Sequence, residues 1–332
     1  MTRTLRVGRL RSNDACWCAS TRKFKRCHGA FDTRRPRVAA GTVTSQRAVP
    51  PTIAAPPYLA NGGWPTGRAG VQRFDIASLA ALRRACRIAA EVLVEAGAHV
   101  RPGITTDELD AVAHDAYLAR GAYPSTLGYR GFRKSVCTSV NEVACHGIPD
   151  SRPLALGDIV NIDVTAYADG VHGDTSATFA VGGPAAIDDP TSALVEATCA
   201  ATHAGIDAVA PGRPLRVIGQ AIEPLAAARG LVVITEYGGH GIGAAFHAEP
   251  HVHHVDDPSA TLCLEVGMAF TVEPMLTAGT SRLSQWDDRW TEVTADGLPS
   301  AQFEHTVVVA DDGVEILTVT GDGASAVRWP NA

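Results

Sequence analysis

The sequence predicts an α/β (α+β) enzyme fold built from two similar halves joined face to face. Three observations lead there. Helix-like and strand-like segments are interleaved along most of the 332 residues. A short pattern recurs at an offset of 109: Val100-Arg101-Pro102-Gly103 leads to Gly121, and Val209-Ala210-Pro211-Gly212 leads to Gly230. Five acidic or imidazole side chains, Asp163, Asp174, His240, Glu273 and Glu304, each sit in a short apolar-flanked run. Such a duplication places a site in the cleft between halves, to which each half contributes.

Composition bounds the reading. Hydrophobic residues make up 45% and charged residues 19% of the chain, enough for one large core plus an appendage. No run is long and apolar enough to span a membrane. The start, MTRTLRVGRLRSND, is basic without an apolar stretch, which argues against a secretory signal and also fits an organelle transit peptide. Eight scattered cysteines favour a reducing compartment, and a cytoplasmic, monomeric protein is expected.

Charge divides the chain. Residues 1–47 hold 12 basic and 2 acidic residues, a net of +10; the rest holds 17 basic and 33 acidic, a net of −16. A basic arm on an acidic body suits a polyanion such as RNA, and equally a solvated tail. Within that arm, Cys16, Cys18, Cys27 and His28 follow the spacing C-x-C-x8-C-H. Three thiolates and one imidazole complete a closed tetrahedral zinc site, although a redox-active or unmetallated tail has the same composition. The pattern resembles the SEC-C metal-binding motif. Trp17 and Phe24 among Lys and Arg suit RNA or ribosomal contact. Residues 48–72, rich in Pro, Gly and Ala, read as an extended linker, with Ile53, Tyr58 and Trp64 as possible apolar anchors.

The remainder, 73–332, reads as the catalytic domain. Leu79, Leu82, Cys86, Ala89 and Leu93 recur at helical steps, which predicts a helix over 75–96 stopped by Gly97. Thr105 and Glu108 form a capping-box pattern for a second helix reaching about Arg120, with Gly121 beyond its end. Strands are expected over 134–148, 158–166, 170–180, 231–237, 246–254, 268–276 and 303–319. Asp169-Gly170 is a tight-turn signal, so Asp163 and Asp174 fall on adjacent arms of a hairpin. Asp163 shares a face with Thr165 by the two-residue period of a strand.

Taken singly, an Asp in a strand or a Glu before Pro is more often structural than a ligand. Jointly, four carboxylates and an imidazole in apolar settings need compensating charge if they converge. Two divalent ions sharing carboxylates would provide it, so the leading reading is a two-metal hydrolase.

At these same segments the sequence resembles type I methionine aminopeptidase. The resemblance rests on LGYRGFRKSVCTSVNEVACHGIPD, GDIVNIDVTAYADGVHGDTSATF, GGHGIGAAFHAEPHVHH, FTVEPM and SAQFEHTVVV, in the family's order over about residues 73 to 320. It implies a pita-bread fold, two pseudo-symmetric halves around a central antiparallel sheet, and removal of the initiator methionine from nascent polypeptide N-termini when the next residue is small. It further implies two divalent metal ions (Co, Mn, Fe or Zn). Asp174 and Glu304 would bridge them, Asp163 would bind one, and His240 and Glu273 the other. Glu273 would double as general base. His146 and His247 would assist at the scissile bond as hydrogen-bond donors. Tyr129, Phe132, Cys137, Phe246 and Trp290 would line the methionine pocket. Thr126 and Phe132 depart from the commoner Cys and Tyr of relatives, which implies altered affinity rather than lost function.

Cys145 beside His146 has no orienting group that would make it a nucleophile. His251, His253 and His254 read as a polar strand end rather than a third metal site. His172 and His305 flank ligands and are candidates to support them. Two other readings remain: a prolidase- or creatinase-like relative, and a non-catalytic binding protein of the same fold.

Overall fold

The computed structural model describes Lys23, residues 37–67 and residues 69–330. The expected zinc motif of Cys16, Cys18, Cys27 and His28 lies outside the described residues.

Helix α1 spans Ile76–Gly97. Asp75 caps it by accepting from the Ser78 amide, and Ser78 Oγ accepts from the Asp75 amide in return. Leu82, Cys86, Ala89 and Leu93 are buried and Leu79 half-buried, the stripe that the sequence predicts. Gly97 is the last helical residue rather than a left-handed stop. It is small because a Cβ there would lie 2.3 Å from the Phe179 ring. Helix α2 spans Thr106–Ala119, with the Thr105–Glu108 capping box formed in both directions.

The repeat is structural. Helices α3 (Asp189–Asp207) and α4 (Val217–Ala228) stand in the second half as α1 and α2 do in the first. The Ala122 amide donates to Tyr117 O and the Leu231 amide to Ala226 O, both at 3.0 Å. The Gly103 amide donates to Leu154 O and the Gly212 amide to Leu264 O, both at 2.8 Å.

A nine-stranded sheet carries both halves. Its main path runs Tyr123–Pro124, Ile159–Ala168, Val171–Ala180, Glu304–Ala310, Ala269–Val272, Gly239–Gly241 and Ala248–Val252. Cys137–Val140 pairs with the second of these and Gly313–Ile316 with the fourth. The pairs are antiparallel. Asp169 and Gly170, at φ 52° and 86°, make the tight turn between Ile159–Ala168 and Val171–Ala180. Helix α1 lies across that hairpin, while α3 packs on α4 and on the second half's strands. This is the pita-bread arrangement expected from the sequence.

Some strands differ from expectation. Tyr123–Pro124, Gly239–Gly241, Leu283–Gln285, Glu292–Thr294 and Ser300–Gln302 were not legible, since two or three residues carry too little alternation to register. The 231–237 run supplies only Val232–Val233. The 268–276 run breaks at Glu273-Pro274 into two strands that belong to different sheets.

Residues 37–67 lie along the body. Thr42 and Ser151 exchange hydrogen bonds, and Arg47 pairs with Asp107 and Asp110. Pro57–Asn61 is a 3-10 turn that buries Tyr58. Ile53 packs beside Tyr123, Leu127 and Tyr167. Trp64, expected as an anchor, is 60% exposed and anchors nothing.

Candidate active site

The strand order dictates where the five candidate ligands meet. Val171–Ala180 and Glu304–Ala310 are the central pair of the sheet, with Glu304 opposite Ser176 and His305 opposite Thr175. They carry Asp174 and Glu304. The flanking strands Ile159–Ala168 and Ala269–Val272 carry Asp163 and lead into Glu273. The carboxylates are thus paired across the same pseudo-twofold relation that pairs the helices. His240 comes from Gly239–Gly241, beyond Ala269–Val272.

Ligand-type atoms of Asp174, His240 and Glu304 all lie within 4.8 Å of one another. His240 Nε2 is 3.6 Å from Asp174 Oδ2 and 3.7 Å from Glu273 Oε1. Asp163 lies on the strand adjacent to that of Asp174, two residues from Thr165, which stands opposite Asp174. All five line one cavity of about 290 Å³.

Electrostatics makes this cluster costly as it stands. Burial raises Asp163 to about 7. Burial, with Asp163 nearby, raises Glu273 to about 8. Asp174 and Glu304 are held well above the usual carboxylate range by burial and then by each other and their neighbours. His240 is pushed down to about 4 by burial. Its Nδ1 lies 3.2 Å from Gly241 O, which can only accept, so Nδ1 carries the hydrogen and the Nε2 lone pair faces carboxylate oxygens. Among the described lining residues, Arg130 is the only permanent cation. Its guanidinium lies over the Tyr129 ring, 5.3 Å from the centroid. Carboxylate oxygens and an imidazole lone pair converging, with no Lys or Arg among the described residues paired to them, match the donor set of divalent metals.

Supporting bonds fix the cluster. Thr271 donates to Glu273 Oε1 at 2.6 Å and accepts from the His240 amide at 2.9 Å. Gln302 donates to Glu273 Oε2 at 3.1 Å. Thr165 donates to Asp174 Oδ1 at 2.8 Å. Buried His254 accepts from the Glu273 amide at 3.1 Å. Sequence reasoning missed Thr271, Gln302, Tyr237 and Met275, and the role of His254.

The other predicted residues also reach the cavity. Tyr129, Phe132, Cys137, Phe246 and Trp290 line it, with Thr126. Phe132 meets Trp290 edge-on at 5.0 Å. His247 Nδ1 is 3.1 Å from the Tyr129 hydroxyl, and its ring lies 4.2 Å from those of His240 and Phe246. His146 meets Tyr237 edge-on at 4.8 Å, and burial lowers its pKa to about 4. Cys145 is buried with its thiol pushed well up, which suits no nucleophile.

His172 backs the pocket by stacking on Phe246 at 5.3 Å. His305 does not support the site. Adjacent to Glu304 on one strand, it takes the opposite face and bonds Thr318 at 2.6 Å. His251 and His253 meet edge-on at 4.5 Å, and His253 pairs with Asp257.

The sequence model of metallopeptidase family M24 matches residues 80–311. That of the SEC-C motif matches residues 13–30. A relative named methionine aminopeptidase 2, from Mycobacterium tuberculosis, is 50% identical over 288 residues, covering 86% of this chain and 98% of its own. The crystal structure of methionine aminopeptidase from Rickettsia prowazekii superposes with a TM-score of 0.73 at 42% identity, over 75% of this chain and 100% of that one. The prolidase from Pyrococcus furiosus shares the fold, with a TM-score of 0.59 at 19% identity over 75% of this chain and 65% of its own. With the paired carboxylates in place, the chain belongs to metallopeptidase family M24, in its methionine aminopeptidase branch.

Proposed function

We propose that this protein hydrolyses the first peptide bond of a polypeptide, releasing its N-terminal methionine when the second residue is small. One observation carries the reading. Four carboxylates and an imidazole converge in a cavity whose other walls include Tyr129, Phe132, Cys137, Phe246 and Trp290, suited to an unbranched thioether.

Two divalent ions would be held by Asp163, Asp174, His240, Glu273 and Glu304. When bound, such ions polarise a carbonyl and acidify water. Cobalt, manganese, iron and zinc all accept this mixed oxygen and nitrogen set. Glu273, fixed by Thr271 and Gln302, takes the proton of the attacking water and returns it to the leaving amine as the C–N bond breaks. His247 donates a hydrogen bond to the carbonyl oxygen as charge develops, and His146 contacts the peptide nitrogen.

The N-terminal arm is proposed to hold one zinc through Cys16, Cys18, Cys27 and His28, supported by their spacing and the SEC-C match. Its basic residues would bring the enzyme to the ribosome and emerging chains in the cytoplasm. Deleting residues 1–36 would then reduce ribosome co-sedimentation and spare peptide cleavage.

The test of activity is direct. Protein loaded with Mn, Co or Fe is expected to release Met from Met-Ala-Ser and not from Met-Lys-Ser. Indifference to the first residue would favour a prolidase-like enzyme. No turnover with any divalent ion would favour a binding protein.

A further inference from the structure

His240 has imidazole neighbours that the reaction above does not use. In the register of strands Gly239–Gly241 and Ala248–Val252, His251 stands directly opposite His240. Residues opposite one another in an antiparallel pair share a face. His251 therefore lies on the side where His240 meets Asp174 and Glu273. Both histidines line a second cavity, of about 660 Å³, which shares Tyr129, His240 and His247 with the catalytic one. His251 is exposed, and its ring rests against Gly238, where a Cβ would come 2.7 Å from its Cε1.

His253 is the next residue on that face by the two-residue period. Its ring meets that of His251 edge-on at 4.5 Å, and its side chain is 37% exposed. His253 Nε2 lies 3.3 Å from Asp257 Oδ2, while Asp257 Oδ1 accepts from the Ser259 amide and hydroxyl, each at 2.8 Å. A carboxylate fixed in this way keeps the imidazole proton on Nε2 and leaves the Nδ1 lone pair for a ligand. His254 turns the other way, to the Glu273 amide, and takes no part. Three imidazoles thus stand in a row: His253 at the surface, His251 in the outer cavity and His240 in the carboxylate cluster.

Two imidazoles on one ion, with metal–nitrogen bonds of about 2.1 Å, set their ring centroids about 5 Å apart, near the spacing of His251 and His253. Neutral imidazoles suit zinc, cobalt, nickel and copper rather than magnesium or calcium. Two neutral ligands hold such an ion loosely. The inner cluster offers carboxylates as well as an imidazole, so an ion is bound more tightly as it moves inward.

We propose that His251 and His253 form an outer chelate that captures a transition-metal ion and passes it to His240 and the carboxylates. This rests on the metal centre of the reading above.

The experiment mixes the metal-stripped full chain with Co²⁺ and follows the visible d–d absorbance of oxygen- and nitrogen-ligated cobalt. Thiolate-bound cobalt is told apart by its near-ultraviolet sulfur charge-transfer band. In the wild-type chain the loading rate is expected to saturate with Co²⁺ concentration, as capture before transfer requires. His253→Leu and His251→Gln are each expected to slow loading by about tenfold, because the ion is no longer concentrated beside the inner site. The final d–d absorbance is expected to be unchanged, which also shows that the variants are folded. Equal loading rates in the wild type and both variants overturn the inference alone. A loss of final absorbance in both variants also overturns it, since the two histidines would then support the inner centre itself. A wild-type chain that develops no d–d absorbance overturns the metal centre on which the inference rests.

Discussion

The side-chain amide of Gln302 lies 3.1 Å from Oε2 of Glu273, while its own amide nitrogen also reaches the Glu273 carbonyl oxygen at 3.3 Å. Gln302 is buried on Ser300–Gln302, and Glu273 sits where the second-half strand breaks. A carboxylate asked both to hold a cation and to accept a proton needs a fixed orientation. Gln302→Leu keeps the bulk and removes the donor. Activity on Met-Ala-Ser and metal retention after dialysis are expected to fall by about 10–100-fold, the usual cost of losing an outer partner of a metal ligand. Gln302→Glu should be worse, since it adds a fifth carboxyl to the cluster.

Metal removal should couple to pH. Without cations, Asp163 and Glu273 have pKa values raised to about 7 and 8, against about 4 in an unfolded chain. A raised folded-state pKa means that the native protein binds more protons than the unfolded one. The associated stability is complete below the unfolded value and is lost as pH rises through the folded value. The metal-free protein should therefore lose this stabilisation from about pH 5 to about pH 8. Cations favour the ionised carboxylates and release those protons. The gain in Tm on adding Mn is expected to grow across that range, and calorimetry should register proton release. A gain in Tm independent of pH would remove these carboxyls from the metal site.

Much of this site was legible because its residues obey short-range rules. The alternation around Asp163 and the Asp169-Gly170 turn place Asp163 and Asp174 on neighbouring strands, and the register has Thr165 opposite Asp174. The Thr105–Glu108 pattern and the offset of the two Pro-Gly turns needed only local geometry and comparison of the chain with itself. What stayed hidden depends on distant chain meeting. Gln302 reaches Glu273 across 29 residues, and His254 reaches it across 19. Tyr58 backs Tyr129 from a segment that reads as linker. The orientation of His305 was available from the period of a strand, since the neighbour of an inward Glu304 must face outward.

Two glycines three residues apart should behave differently. Gly173 precedes Asp174 and lies under α1: a Cβ there would sit 2.4 Å from the Cys86 nitrogen and 2.6 Å from the Ala85 carbonyl carbon. Those are backbone atoms of a packed helix and cannot swing aside. Gly173→Ala is expected to cost about 2–3 kcal/mol through overpacking, seen in the urea midpoint, and to lower activity by shifting Asp174. Gly170 has open space around it and pays only for its φ of 86°. Gly170→Ala is expected to cost ~1 kcal/mol and leave kcat unchanged. Equal losses in the two variants would mean that the α1 contact is not what fixes the strand.

Lys134 tests how the segment 37–47 belongs to the body. Its side chain is fully buried, paired with Asp107 and 3.9 Å from Asp110, whose side chain is also fully buried. Thr44 accepts from Lys134 at 2.6 Å, and Arg47 pairs with Asp110 at 3.0 Å, so the segment completes an ion cluster at the start of α2. Removing one member of a buried pair leaves the other charge without compensation. Lys134→Met is therefore expected to cost about 3 kcal/mol in urea unfolding. Adding Asp107→Asn to it should recover part of that loss, because the stranded carboxylate is then gone. Arg47→Ala should cost less, on the order of 1 kcal/mol, since Arg47 is 29% exposed and water replaces part of its interaction. If Lys134→Met and Arg47→Ala were equally mild, the cluster would be solvated and residues 37–47 would be held by their backbone contacts alone.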